Sequence, residues 1–198
     1  MPYFTEVAYI GLPLSGKATS IQGIAQAQAD STLITRENAF SRELVAIIPR
    51  YDGSDQSLIL RAYPGAVWSA SSWEIQSVAA DGIVVVLDPQ CSRHEEQVSF
   101  LRRLCWLLQQ ATFQPSSVPI AFQINKTDLV AVDDPKAIIA GLWDSTDRVF
   151  RTCALNGSGL KGALDCCLEQ VASVRESFAG GLAGEIGLAL NKWSPFRE

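Results

Sequence analysis

Two short stretches of this 198-residue chain combine residue types that do chemistry. The first, Gly11-Leu12-Pro13-Leu14-Ser15-Gly16-Lys17-Ala18, fits G-x-x-x-x-G-K at every fixed position but the last, where Ser or Thr is expected. Such a loop turns its backbone N–H groups inward around a phosphate. Lys17 adds a point charge, and the helix that follows, starting near Ala18 and Thr19, contributes the positive end of its dipole. Ala18 cannot supply a magnesium-binding hydroxyl. The second stretch, Asn125-Lys126-Thr127-Asp128, reads N-K-x-D. Its carboxylate can accept from guanine N1 and the exocyclic amine, a donor pair that adenine lacks, while Asn125 and the stem of Lys126 brace the loop and cover the base. With three fixed residue types at about 5% each, a chance match in a chain of this length is on the order of a few percent.

Two weaker elements fall in chain order around these. Pro64-Gly65 places a glycine amide where it can meet a terminal phosphate, and Cys153-Ala154-Leu155-Asn156-Gly157 places the amide of Ala154 where it can touch a guanine oxygen. Each alone reads as an ordinary turn. With the two stronger motifs they complete one nucleotide pocket.

The elements that must position these residues alternate along the chain. Residues 3–10 form an aromatic and β-branched run that stops at Gly11, and 18–29 carry Ile21, Ile24 and Ala25 at helical spacing, which predicts strand, loop, helix. Residues 44–48 and 58–63, separated by Pro49, Asp52, Gly53 and Ser54, predict an antiparallel hairpin. Residues 82–87 form a continuous apolar strand suited to a sheet centre. In 92–113, Val98, Leu101, Leu104, Cys105 and Leu108 mark an amphipathic helix that closes at Gln114-Pro115. A strand at 118–124, a helix from Asp134-Pro135 to Trp143, a short strand at 148–153 and a long helix at 158–178 complete the pattern. This alternation predicts an α/β domain with a six-stranded, mostly parallel sheet and one antiparallel edge hairpin, its ligands at the carboxyl ends of the strands. The domain is expected over 1–178, with 179–198 as an amphipathic extension. There Gly180-Gly181 break the helix, and Leu182, Ile186, Leu190 and Trp193 share a face, expected to fold back on the domain, before Pro195.

Composition narrows the function classes. Sixteen Lys and Arg against twenty-one Asp and Glu give a net charge of −5, without the basic footprint of a nucleic-acid or anionic-membrane binder. A chain 47% hydrophobic and 19% charged can bury a sizeable core. The five cysteines, Cys91, Cys105, Cys153, Cys166 and Cys167, show no C-x-x-C spacing and sit mostly in apolar runs, which predicts reduced thiols, no zinc and a cytoplasmic location. No run of about 18 apolar residues, no signal-peptide pattern and no lipidation motif occurs.

The motifs together resemble those of the Ras-like small GTPases, and most of all the bacterial gliding and polarity GTPases of the MglA type. The closest stretch is residues 60–90, LRAYPGAVWSASSWEIQSVAADGIVVVLDPQ, with Pro-Gly in place of Asp-x-x-Gly, and the similarity runs over about residues 3–177. The resemblance implies a three-layer P-loop NTPase fold, GTP or GDP as ligand with magnesium, two switch segments, and a roadblock-type protein partner or polarity effector. It assigns nucleotide contacts to Gly11, Leu14, Ser15, Gly16, Lys17, Ala18, Thr19, Gly65, Asn125, Lys126, Asp128, Cys153, Ala154 and Leu155.

The departures from that family are specific. Ala18 replaces the metal-holding Ser or Thr, Ala62 stands where Thr is usual before x-Pro-Gly, and Ala66 replaces the glutamine that orients water. In the first switch region, 30–43, neither Arg42 nor Thr35 falls in register with the family's Arg-Thr pair, and the segment is unassigned. These losses predict nucleotide binding with little intrinsic hydrolysis and weakened magnesium coordination, with no catalytic residue assigned. Two alternatives stand beside this. One is an active GTPase with a partner-supplied catalytic residue and Thr19 or Ser20 contacting the metal; the other is a nucleotide-free structural subunit. N-K-x-D argues against an adenylate-using enzyme. His94 is expected on a solvated helix face beside Arg93 and Glu95-Glu96, Trp68 and Trp73 in the second switch as packing or partner anchors, and Trp106 and Trp143 as core or helix-face residues.

Overall fold

The computed structural model describes residues 4–38, 41–49, 51, 53, 56–63, 79–90, 92, 94–111, 118–143 and 146–180. Seven strands form one sheet: β1 (Phe4–Ile10), β2 (Thr32–Asn38), β3 (Ser41–Pro49), β4 (Ser57–Ala62), β5 (Gly82–Leu87), β6 (Ile120–Ile124) and β7 (Val149–Arg151). Their spatial order is β2-β3-β4-β1-β5-β6-β7. β2 pairs antiparallel with β3 and β3 with β4, while every pairing from β4 through β7 is parallel. The chain leaves β1, builds β2 to β4 on one side and then crosses to β5 on the other. The carboxyl end of β1 is therefore the place where strand order reverses and a crevice opens.

The expected α/β class, parallel sheet and antiparallel hairpin are all present, and the sheet has seven strands where six were expected. The added strand is β2, which falls in the segment left unassigned. Its partner register runs from Thr32 opposite Ile47 to Asn38 opposite Ser41. It is an edge strand, so Leu33 remains 41% exposed and the run lacks the core-facing alternation of an inner strand.

Apolar side chains of β5, all buried, divide between two cores. On one face, Val84 and Val86 join Val7, Tyr9, Leu44, Ala46 and Leu60 beneath helices α1 (Lys17–Gln26) and α3 (Leu160–Gly180). On the other, Ile83, Val85 and Leu87 meet Leu101, Leu104 and Leu108 of helix α2 (His94–Ala111). Glu95 and Glu96 sit in the first turn of α2, where carboxylates complement the helix dipole. His94 opens that helix and is exposed. Trp106 lies on the outer face of α2, and Trp143 packs edge-on against Phe122 with centroids 5.5 Å apart.

One expected helix is shorter than its pattern. Asp134 caps its start, accepting from Lys136 N at 2.9 Å, but the segment forms only a 3₁₀ turn over Pro135–Ile138. Ile139 is its one fully buried residue, and Gly141 at φ +76° turns the chain away. Ile138, Leu142 and Trp143 pack beside Ile139 on the α2-side core, but the left-handed Gly141 ends any helical continuation.

Arg61 ties the strands on the α2 face. Its Nε donates to Glu6 Oε1 at 3.0 Å and its Nη1 to Glu43 Oε1 at 2.9 Å, and Tyr63 Oη donates to the same Glu6 oxygen at 3.1 Å. Burial disfavours the guanidinium, but the two carboxylates outweigh it and raise its pKa. At the opposite end from the β1 crevice, Arg175 of α3 binds Asp81 at 3.0 Å and Thr5 at 2.9 Å. Cys105, Cys153, Cys166 and Cys167 carry free thiols, and Cys91 lies outside the described residues.

Candidate functional site

Three loops meet at the carboxyl ends of β1, β6 and β7, and Asn125 binds them together. Its Nδ2 donates to Ser15 O in the first loop at 2.8 Å, and its Oδ1 accepts from Ala154 N in the third at 2.9 Å. Thr152 Oγ1 donates weakly to the same Oδ1 at 3.4 Å. The Asn125 side chain is buried, so both ends of its amide are spent inside the protein and fix the three loops relative to one another.

Glycine at two positions permits this approach. A Cβ on Gly16, which lies at φ +102°, would stand 2.1 Å from Asn125 Nδ2, and one on Gly11 would stand 2.2 Å from the Val86 carbonyl oxygen. Gly16 is also the N-cap of α1 and offers no capping side chain. The first helical bond runs from Ser20 N to Gly16 O at 2.8 Å, so the helix start points its earliest amides at the crevice, as an anion site requires.

Lys17 curls back over the loop, its Nζ donating to Gly11 O at 3.0 Å and Leu12 O at 2.8 Å. Its side chain is buried, and the clasp leaves a fixed positive charge at the mouth of the loop. Leu14 adopts φ +63°, and its side chain is 85% exposed. Ser15 is buried with Oγ unpartnered.

Around the second motif, Lys126 takes φ +60°, and its Nζ pairs with Asp88 Oδ2 at 2.7 Å. Thr127 anchors to Thr152 O through its amide at 3.3 Å and its hydroxyl at 3.0 Å. Thr152 N in turn donates to Ile124 O at 2.8 Å. Asp128 stands on this braced loop, exposed, and its carboxylate takes no hydrogen bond among the described residues. Such a carboxylate is free to accept two donors from a planar ligand edge. Cys153 and Ala154 are buried in the third loop, and Leu155 projects outward. A groove of about 290 Å³ runs from Thr19, Gln22 and Gln26 of α1 to Leu155 and Asn156.

Of the residues expected to bind a ligand, Gly11, Leu14, Ser15, Gly16, Lys17, Ala18, Thr19, Asn125, Lys126, Asp128, Cys153, Ala154 and Leu155 lie on these three loops or the first turn of α1. Pro64, Gly65, Ala66, Arg93, Trp68, Trp73 and the extension from 181 to 198 lie outside the described residues. Among the described residues, the first turn of α1 brings no hydroxyl to the rim for a metal. Ala18 is exposed on the first turn, Ser20 Oγ is buried without a partner, Thr19 faces the groove, and Ala62 is buried in β4. The described residues do not fit a magnesium ion held by protein side-chain oxygen.

Asp88, Gln97 and Thr152 take part in this site without having been singled out by the sequence. Asp88 ends the apolar β5 run, and a charged residue at a buried strand end was the available signal.

No family model matches the chain. Over 132 residues it is 29% identical to the Mutual gliding-motility protein MglA of Myxococcus xanthus, covering 63% of this chain and 68% of that protein. Its fold matches the Arl6 BBS3 small GTPase of Trypanosoma brucei, solved with the nucleotide analogue GppNp. The TM-score is 0.60 at 19% identity, over 86% of this chain and 98% of the other. The chain thus shares the fold of that small GTPase, and in sequence it is similar to MglA.

Proposed function

We propose that the chain binds guanine nucleotide, hydrolyses it slowly if at all, and works as a switch or docking module for a roadblock-type protein partner. The observation that carries this reading is the Asn125 tie. A buried amide that joins the phosphate loop, the N-K-T-D loop and the 153–157 loop holds three recognition elements at fixed spacing, with the Asp128 carboxylate presented outward. Preorganised sites of this kind bind well because the ordering cost is met on folding.

Hydrolysis rests on other groups. Phosphoryl transfer needs charge neutralisation and an oriented water, and Ala18, Ala62 and Ala66 bring no polar atom to those tasks. The buried Ser20 hydroxyl and the groove-facing Thr19 speak against either replacing the missing metal ligand. Magnesium is therefore expected to contribute little to affinity, and less for GTP than in an intact relative. The partner and its effectors rest on the MglA resemblance alone.

The test is to denature freshly purified protein, identify released nucleotide by chromatography, and titrate GDP and GTP with and without magnesium. The expected result is bound or tightly binding guanine nucleotide, an affinity little changed by a chelator, and negligible phosphate release. Absence of binding to either nucleotide rejects the reading in favour of a nucleotide-free docking subunit. Turnover matching an intact small GTPase rejects the slow-hydrolysis part, and phosphate release only on adding a roadblock-type partner favours a catalytic residue supplied in trans.

A further inference from the structure

The lysine of the N-K-T-D loop is held by a buried carboxylate that belongs to no recognition motif. Asp88 is the first residue after β5, and its side chain is 2% exposed, against 26% for Lys126. A charge buried so deeply requires compensation, and the Asp88 carboxylate receives it from two donors. Lys126 Nζ donates to Oδ2 at 2.7 Å, and Gln90 N donates to Oδ1 at 3.2 Å. Gln97, itself buried in α2, grips the Asp88 backbone: its Oε1 accepts from Asp88 N at 2.7 Å, and its Nε2 donates to Asp88 O. The carboxylate is thus fixed before any ligand arrives, by the strand end on one side and by α2 on the other.

Two consequences follow for Lys126. Its ammonium is neutralised within the protein, so its contribution to a ligand is the alkyl stem, laid along a defined line between Asp88 and the left-handed backbone at φ +60°. The phosphate end then draws its side-chain charge among these motifs from Lys17. We propose that Asp88, backed by Gln97, is a positioning residue for base recognition, setting the direction of the Lys126 stem and with it the posture of the loop that carries Asp128. This rests on the guanine-binding reading above and deepens it.

The test is a double-mutant cycle on the full chain, using Asp88→Ala, Lys126→Met and the pair together, with Asp88→Asn as the conservative variant. Dissociation constants are measured for GDP carrying a fluorescent ribose label. Asp88→Ala is expected to weaken binding by about tenfold, Lys126→Met by a similar factor, and the double variant by no more than either alone. Asp88→Asn keeps an acceptor for Lys126 and for Gln90 N, and restores affinity to within about threefold of the parent. Wild-type affinity in Asp88→Ala, or losses that multiply in the double variant, overturns the proposal, because a carboxylate that only stabilises the fold would act independently of Lys126.

A second measurement needs no nucleotide. Acylation of the Lys126 amine by a water-soluble reagent, read by peptide mass spectrometry, is expected to be several-fold slower in the parent than in Asp88→Ala. Equal rates overturn the proposal. If the parent binds no guanine nucleotide, the functional reading fails while this arm still decides whether Asp88 holds Lys126.

Discussion

The two ends of the crevice are built to different standards. At the base-recognition end, Asn125, Lys126, Thr127 and Thr152 each have partners at hydrogen-bonding distance, and Asp128 stands free on the scaffold they make. At the phosphate end the backbone is shaped and Lys17 is clasped, yet Ser15 and Ser20 bury hydroxyls without partners, and alanine occupies the first helical turn at 18. The lesson is about which property each end secures. Wiring that holds a loop in place favours affinity and selectivity, whereas catalysis of phosphoryl transfer needs polar atoms aimed at developing charge. Among the described residues the wiring is at the base-recognition end, and the slow-hydrolysis proposal turns on the phosphate end.

The largest expected effect comes from removing the tie that makes the two ends one site. Asn125→Ala leaves Ser15 O and Ala154 N without their partner in a buried setting, a cost on the order of 3 kcal/mol for the two groups. For a domain of this size that lowers Tm by roughly 6–12 °C, and GDP affinity should fall by at least about 100-fold. Calorimetry and labelled-nucleotide titration check the two halves. A variant that melts lower but binds GDP normally would show that the two ends act independently.

A middling effect should come from repairing the weaker end. Ala18→Ser puts a hydroxyl on the exposed first turn of α1, at the mouth of the loop. GTP affinity should then acquire a dependence on magnesium of about tenfold relative to the parent, while GDP affinity changes less. Titration with and without a chelator reads this directly. Equal magnesium response in parent and variant would mean that the phosphate end lacks more than one hydroxyl.

The smallest effect sets a baseline outside both ends. Cys167 packs between α3 and β5, its Sγ 3.6 Å from Ile83 O, and burial pushes its thiol up to about 12. Because the folded value lies above the unfolded one, the folded chain keeps a proton that the unfolded chain gives up. Stability is therefore fully present below about pH 9 and falls as pH rises toward 12. By pH 10 the loss from this thiol is roughly 1 kcal/mol. The buried Tyr9 phenol, raised by burial first, adds to the fall at higher pH. Urea midpoints from pH 7 to 11 for the parent and Cys167→Ala measure it, and the variant should lose less between pH 9 and 10. An identical decline in both would assign the alkaline loss to the tyrosines.

Much of this was legible in the residues, and each exception has its own physical cause. β1, β5, β6 and the helices announce themselves because a buried stripe must repeat at a fixed period, and the phosphate and N-K-T-D loops because their residues are neighbours in sequence. β2 escaped because an edge strand keeps polar and charged residues such as Arg36 on a run with no core face to declare it. The helix expected after Asp134 stops as a 3₁₀ turn because a good cap and a proline mark a beginning without guaranteeing a continuation. Asp88 escaped because its partner Lys126 lies 38 residues away, and only the pairing of β5 beside β6 brings them together. Arg61 is similar, its two carboxylates coming from strands on either side of its own.

The Asn125 tie also has a meaning in time. Its two ends reach 110 residues back to Ser15 and 29 residues forward to Ala154. A chain emerging from synthesis can shape the turn after β1 early, with Lys17 clasping it locally, but the tie to the other two loops waits until β6 has docked and the segment beyond β7 has followed. Long-range closures of this kind are slow steps. Every nascent copy therefore passes through an interval in which it already carries a phosphate loop but has no means of choosing a base.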